Sequence, residues 1–189
     1  MSSVPIILAS GSPRRRELLA EMGVRFEVVT AEVEELSAGL APVELAVENA
    51  RLKAQAVAAV QKGRWVLGAD TVVALGARVL GKPGSLEEAA EFLRALSGRG
   101  HEVITGCALV APDGGVEIFH DVTRVTFRAL NEEVIARYLA EVHVLDKAGG
   151  YALQERGEWI VAGVAGSRSN VIGLPCELLQ KVLTRRGII

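Results

Sequence analysis

The chain has 189 residues, of which 50% are hydrophobic and 23% charged, a composition that excludes a disordered polypeptide and supplies enough apolar residues for a sizeable core. Its length fits one domain, or two small lobes sharing a core. A formal net charge of −2 excludes broad attraction to a nucleic-acid backbone or an anionic membrane, so an anionic ligand has to be held by a local group of cations.

Strand and helix signals alternate, which predicts an α/β fold. Ile6 to Ala9 reads as a short buried strand, and Ser12-Pro13 supplies an N-cap and a first-turn proline for a helix to about Met22. Gly23 ends that helix, and Phe26 to Thr30 forms a second strand. Pro42 to about Gln61 is the longest helical signal, followed by a strand from Trp65 to Ala69 and a hairpin from Val72 to Leu80 around Gly76. Ser85 with Glu88 makes a capping box for a helix from Leu86 to Leu96. His101 to Ala111 and Val116 to Arg128 are two strands joined through Pro112-Asp113-Gly114-Gly115. Asn131 caps a helix to about Glu141, Trp159 to Val164 reads as a strand, and Pro175 begins a final helix. Parallel crossovers early and a hairpin late imply a mixed sheet.

Cys107 and Cys176 show no metal-ligand spacing and are expected as isolated buried thiols of a reducing cytosol. The segment Met1 to Ala9 lacks a basic region and has too short an apolar run for a signal peptide. No apolar stretch approaches the roughly 20 residues of a membrane span. These features point to a soluble cytoplasmic protein with neither a membrane nor a nucleic acid as partner.

Chemistry concentrates in a few places. Ser10-Gly11-Ser12-Pro13-Arg14-Arg15-Arg16 sits where the first strand becomes the first helix, and orphan N–H groups and the helix dipole favour an anion there. Three arginines at an already positive helix end suit a phosphate chain; the plainer alternative is that they reach back to Glu17 or Glu21. The glycine and Lys-Ser/Thr pattern of a Walker loop is absent. On the long helix, Val43, Ala46, Ala50, Val57 and Val60 form one stripe with Lys53 in its midst. An ammonium there either meets an anion or snorkels to the rim. Gly68-Ala69-Asp70-Thr71 follows an apolar strand, where a carboxylate can be held beside a cleft, although loop-entry aspartates are also common. Gly81-Lys82-Pro83 brings a second lysine within plausible reach of the same ligand. Glu32, Glu34 and Glu35 can bind a divalent cation or simply be solvated. The segment from Asp146 to Gln154 suits a ligand-facing loop, and His101, His120 and His143 lack metal spacing.

Taken together, these segments resemble the Maf family, the septum-formation inhibitor proteins. The resemblance runs nearly end to end through Leu8-Ala9-Ser10-Gly11-Ser12-Pro13-Arg14-Arg15, Glu35, Arg51-Leu52-Lys53-Ala54-Gln55-Ala56, Gly68-Ala69-Asp70-Thr71, Gly81-Lys82-Pro83, Leu96-Ser97-Gly98-Arg99, Asp146-Lys147-Ala148-Gly149 and Asn170-Val171-Ile172-Gly173-Leu174-Pro175. It implies a single domain over residues 1–189, a mixed twisted sheet with flanking helices, and two lobes around a deep cleft, similar to the inosine triphosphatases and often a homodimer. It also implies hydrolysis of a nucleoside triphosphate to the monophosphate and pyrophosphate with a divalent metal, Mg²⁺ or Mn²⁺. By that resemblance Asp70 is the catalytic carboxylate and, with Glu35, a metal ligand. Ser10, Arg14, Arg15, Lys53, Thr71, Lys82 and Gln154 bind substrate. Members resembling the dTTP/UTP enzymes carry Arg, Thr and Gln where this chain has Arg14, Thr71 and Gln154, whereas those preferring 7-methyl-GTP carry Trp, Gln and Glu. A neutral amide suits the edge of uracil or thymine. The resemblance leaves two alternatives, a 7-methyl-GTP pyrophosphatase and a non-catalytic regulator of septum formation. Arg168 departs from the family, where an aromatic residue is common.

Overall fold

The computed structural model describes residues 4–189; Met1 to Ser3, part of the segment weighed above as a leader, lie outside the described residues. Seven strands, β1 (Ile6–Leu8), β2 (Phe26–Val28), β3 (Val66–Leu75), β4 (Arg78–Leu80), β5 (Gly100–Val110), β6 (Val116–Phe127) and β7 (Val161–Ala165), form one mixed sheet in the order β2-β1-β3-β5-β6-β7, with β4 paired to β3. Strand β1 lies parallel to both β2 and β3. The remaining pairings, of β3 with β4 and β5, of β5 with β6 and of β6 with β7, are antiparallel. This is the mixed sheet expected from the alternation of signals.

The period-two rule assigns each strand residue to a face. Ile6 and Leu8 pack with Leu18, Leu19 and Leu67, whereas Ile7 packs with Ala50, Ala54 and Val57 on the other side. One face is therefore covered by α2 (Pro42–Val60). The opposite face carries two separate cores. One is built with α1 (Pro13–Glu21) and the C-terminal helix Cys176–Arg185, the other with α3 (Leu86–Leu96) and α4 (Glu132–Glu141). These two cores are the lobes, and the cleft lies between them.

Several local signals formed as expected. Gly23, at φ 71°, closes α1 with its N–H on the Ala20 carbonyl and the Val24 N–H on the Leu19 carbonyl. Asn131 Oδ1 accepts from the Val134 N–H at 2.9 Å and caps α4. Others differ. The Ser12 side chain caps nothing, and its own N–H donates to Ser10 Oγ at 3.3 Å. Ser85 Oγ accepts from the Glu88 N–H at 3.2 Å, but the Glu88 carboxylate reaches one residue further, to the Gly84 N–H at 2.7 Å. Strand β3 does not stop at Ala69; it continues through Asp70 to Leu75. Trp159 is not in a strand: Gly157–Ile160 forms one helical turn, α5, entered through Arg156 at φ 55°, and Trp159 lies 4.0 Å beneath the Arg137 guanidinium. A second short helix, α6 (Arg168–Ile172), is capped by Ser167 Oγ accepting from the Asn170 N–H at 3.1 Å. The final helix, α7, is the Cys176–Arg185 segment. Both cysteines are free, Cys107 buried and Cys176 half-buried.

Helix α2 rests on the sheet at unusually short range. A Cβ at Gly68 would stand 2.3 Å from the Ala50 carbonyl oxygen, and one at Gly106 would stand 2.5 Å from the Ala46 carbonyl. Those obstacles are backbone and cannot rotate away. The Gly68→Ala variant is expected to lose about 2 kcal/mol or more of unfolding free energy, since overpacking a close contact costs about 1–3 kcal/mol and sometimes more. Urea denaturation of the parent and variant measures it.

Candidate active site

Strand β3 is paired with β5 along its length, from Val66 to Ala74. Its other edge is shared: β1 pairs at Val66 and Leu67, and β4 pairs from Val73 to Leu75. Between them, residues 68–72 have no strand neighbour on that edge among the described residues. Asp70 and Thr71 occupy this window. A cavity of about 540 Å³ opens there, beyond the carboxyl end of β1 and at the N-terminus of α1. Sheets commonly receive ligands where a parallel strand ends and the order changes. The expectation that Asp70 ends its own strand is thus corrected. The strand that ends is β1, and Asp70 stands mid-strand with its backbone fixed on the β5 side.

Alternation sends Asp70 and Thr71 to opposite faces. Asp70, 8% exposed, turns toward α2. Its Oδ1 accepts from Lys53 Nζ at 2.7 Å and its Oδ2 from Asn49 Nδ2 at 3.4 Å. The same Lys53 ammonium pairs with Glu35 at 3.1 Å. Lys53 therefore meets two carboxylates at the cavity wall instead of snorkelling. The apolar stripe that singled it out is rotated from the expected one. Val60 is 71% exposed, and the buried side runs through Leu45, Ala46, Asn49, Ala50, Ala54 and Val57.

On the other face, Arg15 is buried and bonded only to neutral oxygens. Its Nε donates to the Gly173 carbonyl at 2.8 Å, Nη1 to Ser10 Oγ at 3.0 Å and Nη2 to Thr71 Oγ1 at 3.0 Å. Burial pulls its pKa below the ordinary value, opposed by the field of nearby Asp70. A buried guanidinium without a hydrogen-bonded carboxylate is costly unless a ligand supplies the anion. The arginines do not reach back to Glu17 or Glu21. Arg14 instead spans the cleft to Asp146 at 2.9 Å, and Arg16 is exposed.

The far wall comes from the loop that follows α4. Gly149 and Gly150, at φ 71° and 69°, turn the chain so that Lys147, Tyr151 and Gln154 all face the cavity. Lys147 is nearly buried and pairs with Asp146 at 2.9 Å and Glu155 at 3.4 Å. Gln154 and Lys82 line the same cavity, exposed, with no hydrogen-bond partner for either side chain among the described residues. All nine residues singled out from the sequence, Ser10, Arg14, Arg15, Glu35, Lys53, Asp70, Thr71, Lys82 and Gln154, therefore line one cavity. Of the histidines, His101 is buried and contacts the Tyr151 hydroxyl at 2.8 Å, and burial pushes its pKa down to about 4, so it is neutral near pH 7. Among the described residues no three His, Cys, Asp or Glu side chains are grouped to hold a metal by themselves.

A family model described as Maf-like protein matches residues 5–186. The chain belongs to the Maf family. It is 48% identical over 187 residues to a dTTP/UTP pyrophosphatase of Nitratidesulfovibrio vulgaris, across 98% of this chain and 89% of that one. It is also 48% identical over 184 residues to a dTTP/UTP pyrophosphatase of Myxococcus xanthus, across 97% and 93%. Among solved structures, a HAM1 protein from Coxiella burnetii superimposes with a TM-score of 0.56 at 20% identity, over 96% of this chain and 99% of that one. The Staphylococcus aureus Ham1 protein gives 0.55 at 18%, over 97% and 100%. At such identities the likeness concerns the fold.

Three polar residues of this Maf chain escaped the sequence reading. Asn49 lies one helical turn before Lys53, and a polar residue at that spacing on a buried face was its available signal. Thr105 and Asn170, both fully buried behind Thr71, carry no such signal, because a threonine is ordinary in a strand and Asn170 stood only within a quoted run. The Arg14–Asp146 pair joins positions 132 residues apart. Partial burial opposes ionisation of Asp146, but hydrogen bonds from Arg14 and Lys147 outweigh it and hold the carboxyl at about 2, below the ordinary 3.8. Such a depressed pKa contributes stability that is fully present above about pH 4 and is lost as the pH falls toward 2. The melting temperature of the parent should exceed that of Asp146→Asn near neutral pH, and the two should converge as the pH falls toward about 2. Thermal melts across that range test the sign.

Proposed function

We propose that this protein hydrolyses nucleoside triphosphates to the monophosphate and pyrophosphate, with dTTP and UTP preferred. The observation that carries the reading is the buried Arg15 guanidinium, bonded only to neutral oxygens, in the same cavity as the Asp70 carboxylate. An anion there neutralises the guanidinium, and the carboxylate stands by to take a proton. Membership of the Maf family and the dTTP/UTP pyrophosphatase names of its relatives support the same reaction.

Water attacks the α-phosphorus, the bond from that phosphorus to the bridging oxygen breaks, and pyrophosphate leaves. Asp70 takes the proton of the attacking water, through Oδ2, which carries only the long contact from Asn49. Lys53 holds Asp70 in place through Oδ1. Arg15, Ser10 and the N-terminus of α1 receive phosphate oxygens, and Lys82 adds charge from the opposite hairpin. Arg14, tethered to Asp146, closes the substrate between the lobes. Gln154 presents its amide to the base, whose uracil or thymine edge offers one donor between two acceptors. By the resemblance described above, Arg14 and Gln154, with Thr71, match what members of the dTTP/UTP type carry at these positions.

Asp70 and Glu35 share one ammonium and so converge on one point of the cavity. Two carboxylates fit a Mg²⁺ or Mn²⁺ ion that takes its remaining ligands from phosphate oxygens and water, the usual arrangement for such ions on nucleotide substrates. When bound, the ion would offset charge developing on the phosphates. A nucleotide substrate suits work in the cytoplasm, where we take the protein to act; no helix among the described residues is long and apolar enough to cross a membrane. We also read residues 1–189 as one domain, since one sheet joins both lobes, and as a homodimer. The outer edge of β6 before Arg124 has no strand partner among the described residues, and Val116, Ile118 and Val122 are exposed along it.

Pyrophosphate release from UTP, dTTP, CTP, GTP and 7-methyl-GTP, with Mg²⁺ or Mn²⁺, tests the reading. UTP and dTTP should lead, EDTA should abolish turnover, and Asp70→Asn should lower kcat by about 10²–10⁴-fold, the usual worth of a positioned general base. No turnover of any triphosphate, or equal turnover of UTP and 7-methyl-GTP, defeats the reaction or its selectivity respectively.

A further inference from the structure

Hydroxyl groups have a single hydrogen, so a chain of them can be assigned a direction. Thr105 Oγ1 lies 3.1 Å from the Asn170 carbonyl, which can only accept. The Thr105 hydrogen is therefore spent there. In the 2.9 Å contact between Thr71 Oγ1 and Thr105 Oγ1, the donor must then be Thr71. Thr71 has no hydrogen left, and its oxygen accepts from Arg15 Nη2 at 3.0 Å. Ser10 is the opposite case. Its oxygen accepts from Arg15 Nη1 at 3.0 Å and from the Ser12 N–H at 3.3 Å, which leaves its own hydrogen free to give.

The end of the chain is anchored. Asn170 is fully buried, and its Nδ2 donates to the Val103 carbonyl and to Thr123 Oγ1, each at 3.0 Å. The Asn170 carbonyl also accepts from the Gly173 N–H at 3.1 Å, and the Gly173 carbonyl is the oxygen that takes Arg15 Nε. Two sides of the guanidinium are thus set by one peptide segment of α6. A guanidinium carries five N–H groups, and three are spent on Gly173, Ser10 and Thr71. One hydrogen remains on each terminal nitrogen, free to be given to phosphate oxygens.

We infer that Thr71, with Thr105 and Asn170 behind it, is a positioning residue for Arg15 and acts on the phosphate chain of the substrate through that guanidinium, with no contact to the base. The inference rests on the pyrophosphatase reading for its substrate, but phosphate binding by the guanidinium can be tested without turnover. Thr105 is fully buried and cannot touch substrate, so any effect of its hydroxyl on phosphate must pass through Arg15, by way of Thr71 or of the Asn170–Gly173 segment.

The test uses the whole chain with Thr71→Val, Thr105→Val, the double variant and Thr71→Ser. Calorimetric titration with inorganic tripolyphosphate in magnesium buffer reads phosphate binding, and steady-state kinetics on UTP and 7-methyl-GTP reads the base. Each valine variant is expected to bind tripolyphosphate about tenfold more weakly, the usual scale for a lost hydrogen bond to a charged group. The double variant should be no weaker than either single one, since both interrupt one chain. KM for UTP should rise with the tripolyphosphate constant, while the UTP to 7-methyl-GTP ratio stays at the parent's value and Thr71→Ser recovers parental binding. Unchanged tripolyphosphate affinity in folded Thr105→Val, or a changed base ratio in Thr71→Val, overturns the inference. If Thr105→Val does not fold, the Thr71→Val and Thr71→Ser pair decides it by the same criteria. A parent that binds tripolyphosphate in a Thr71-dependent way but cleaves no nucleotide defeats the pyrophosphatase reading and upholds the relay; a parent that does not bind it overturns the relay.

Discussion

Helix α2 touches the sheet through backbone, at Gly68 beneath Ala50 and Ala54 and at Gly106 beneath Ala46. The glycines and alanines bring the helix axis closer to the strands than ordinary side chains permit. That distance sets how far a side chain on the flank of the helix can reach. Asn49 and Lys53, one turn apart, arrive at Asp70 within hydrogen-bonding range because the helix lies so low. Raised by one methyl group on the sheet, α2 would carry the ammonium away from its carboxylate. Packing and site geometry are here the same quantity.

The sheet supplies the other half of the constraint. Because β1 stops at Leu8 and β4 pairs only with Val73 to Leu75, the middle of β3 lacks a neighbour on one edge while its backbone stays locked to β5 on the other. Rigid backbone and open space coincide at Asp70 and Thr71. Charge then follows topology. The chain as a whole carries a formal −2, yet Arg14, Arg15, Lys53, Lys82 and Lys147 line one cavity. Several of these cations are partly neutralised by Asp70, Glu35, Asp146 and Glu155, whereas Arg15 has only neutral hydrogen-bond partners. Electrostatic selectivity for an anion is thereby confined to a few ångströms and leaves no imprint on net charge or isoelectric point.

A fold shared with the Ham1 proteins at about one residue in five says little about chemistry, since one architecture hosts many sites. What distinguishes this chain lies in side chains: a carboxylate facing α2, a hydroxyl facing the opposite lobe, and an amide left unpartnered at the rim. Arg168 does not line the cavity and lies in the short helix α6. The structure offers no account of why an arginine stands at this position.

Much of the architecture was legible because it depends on local periodicity and punctuation. The apolar run at Ile6, the proline at the start of α1, the closing Gly23 and the cap at Asn131 each act within a few residues, and β1, α1 and α4 formed within a residue or two of their expected limits. The failures share a cause. Trp159 belongs to an apolar run that suits a strand or a helical turn equally, and Gly157–Ile160 closes as one helical turn before β7 begins at Val161. The stripe on α2 was misjudged because period alone fixes the spacing of a face, not which side meets the sheet, and Val60 proved exposed. By itself the sequence determined the alternation of elements, the family, and the residue types of the cavity. Tertiary structure alone decided that Lys53 bridges Asp70 and Glu35, that Arg14 crosses to Asp146, and that Thr71 hands its hydrogen to Thr105. Hydrogen bonds and ion pairs act over about 3 Å and carry no trace along the chain, so pairings between distant positions exist only once the sheet has been assembled.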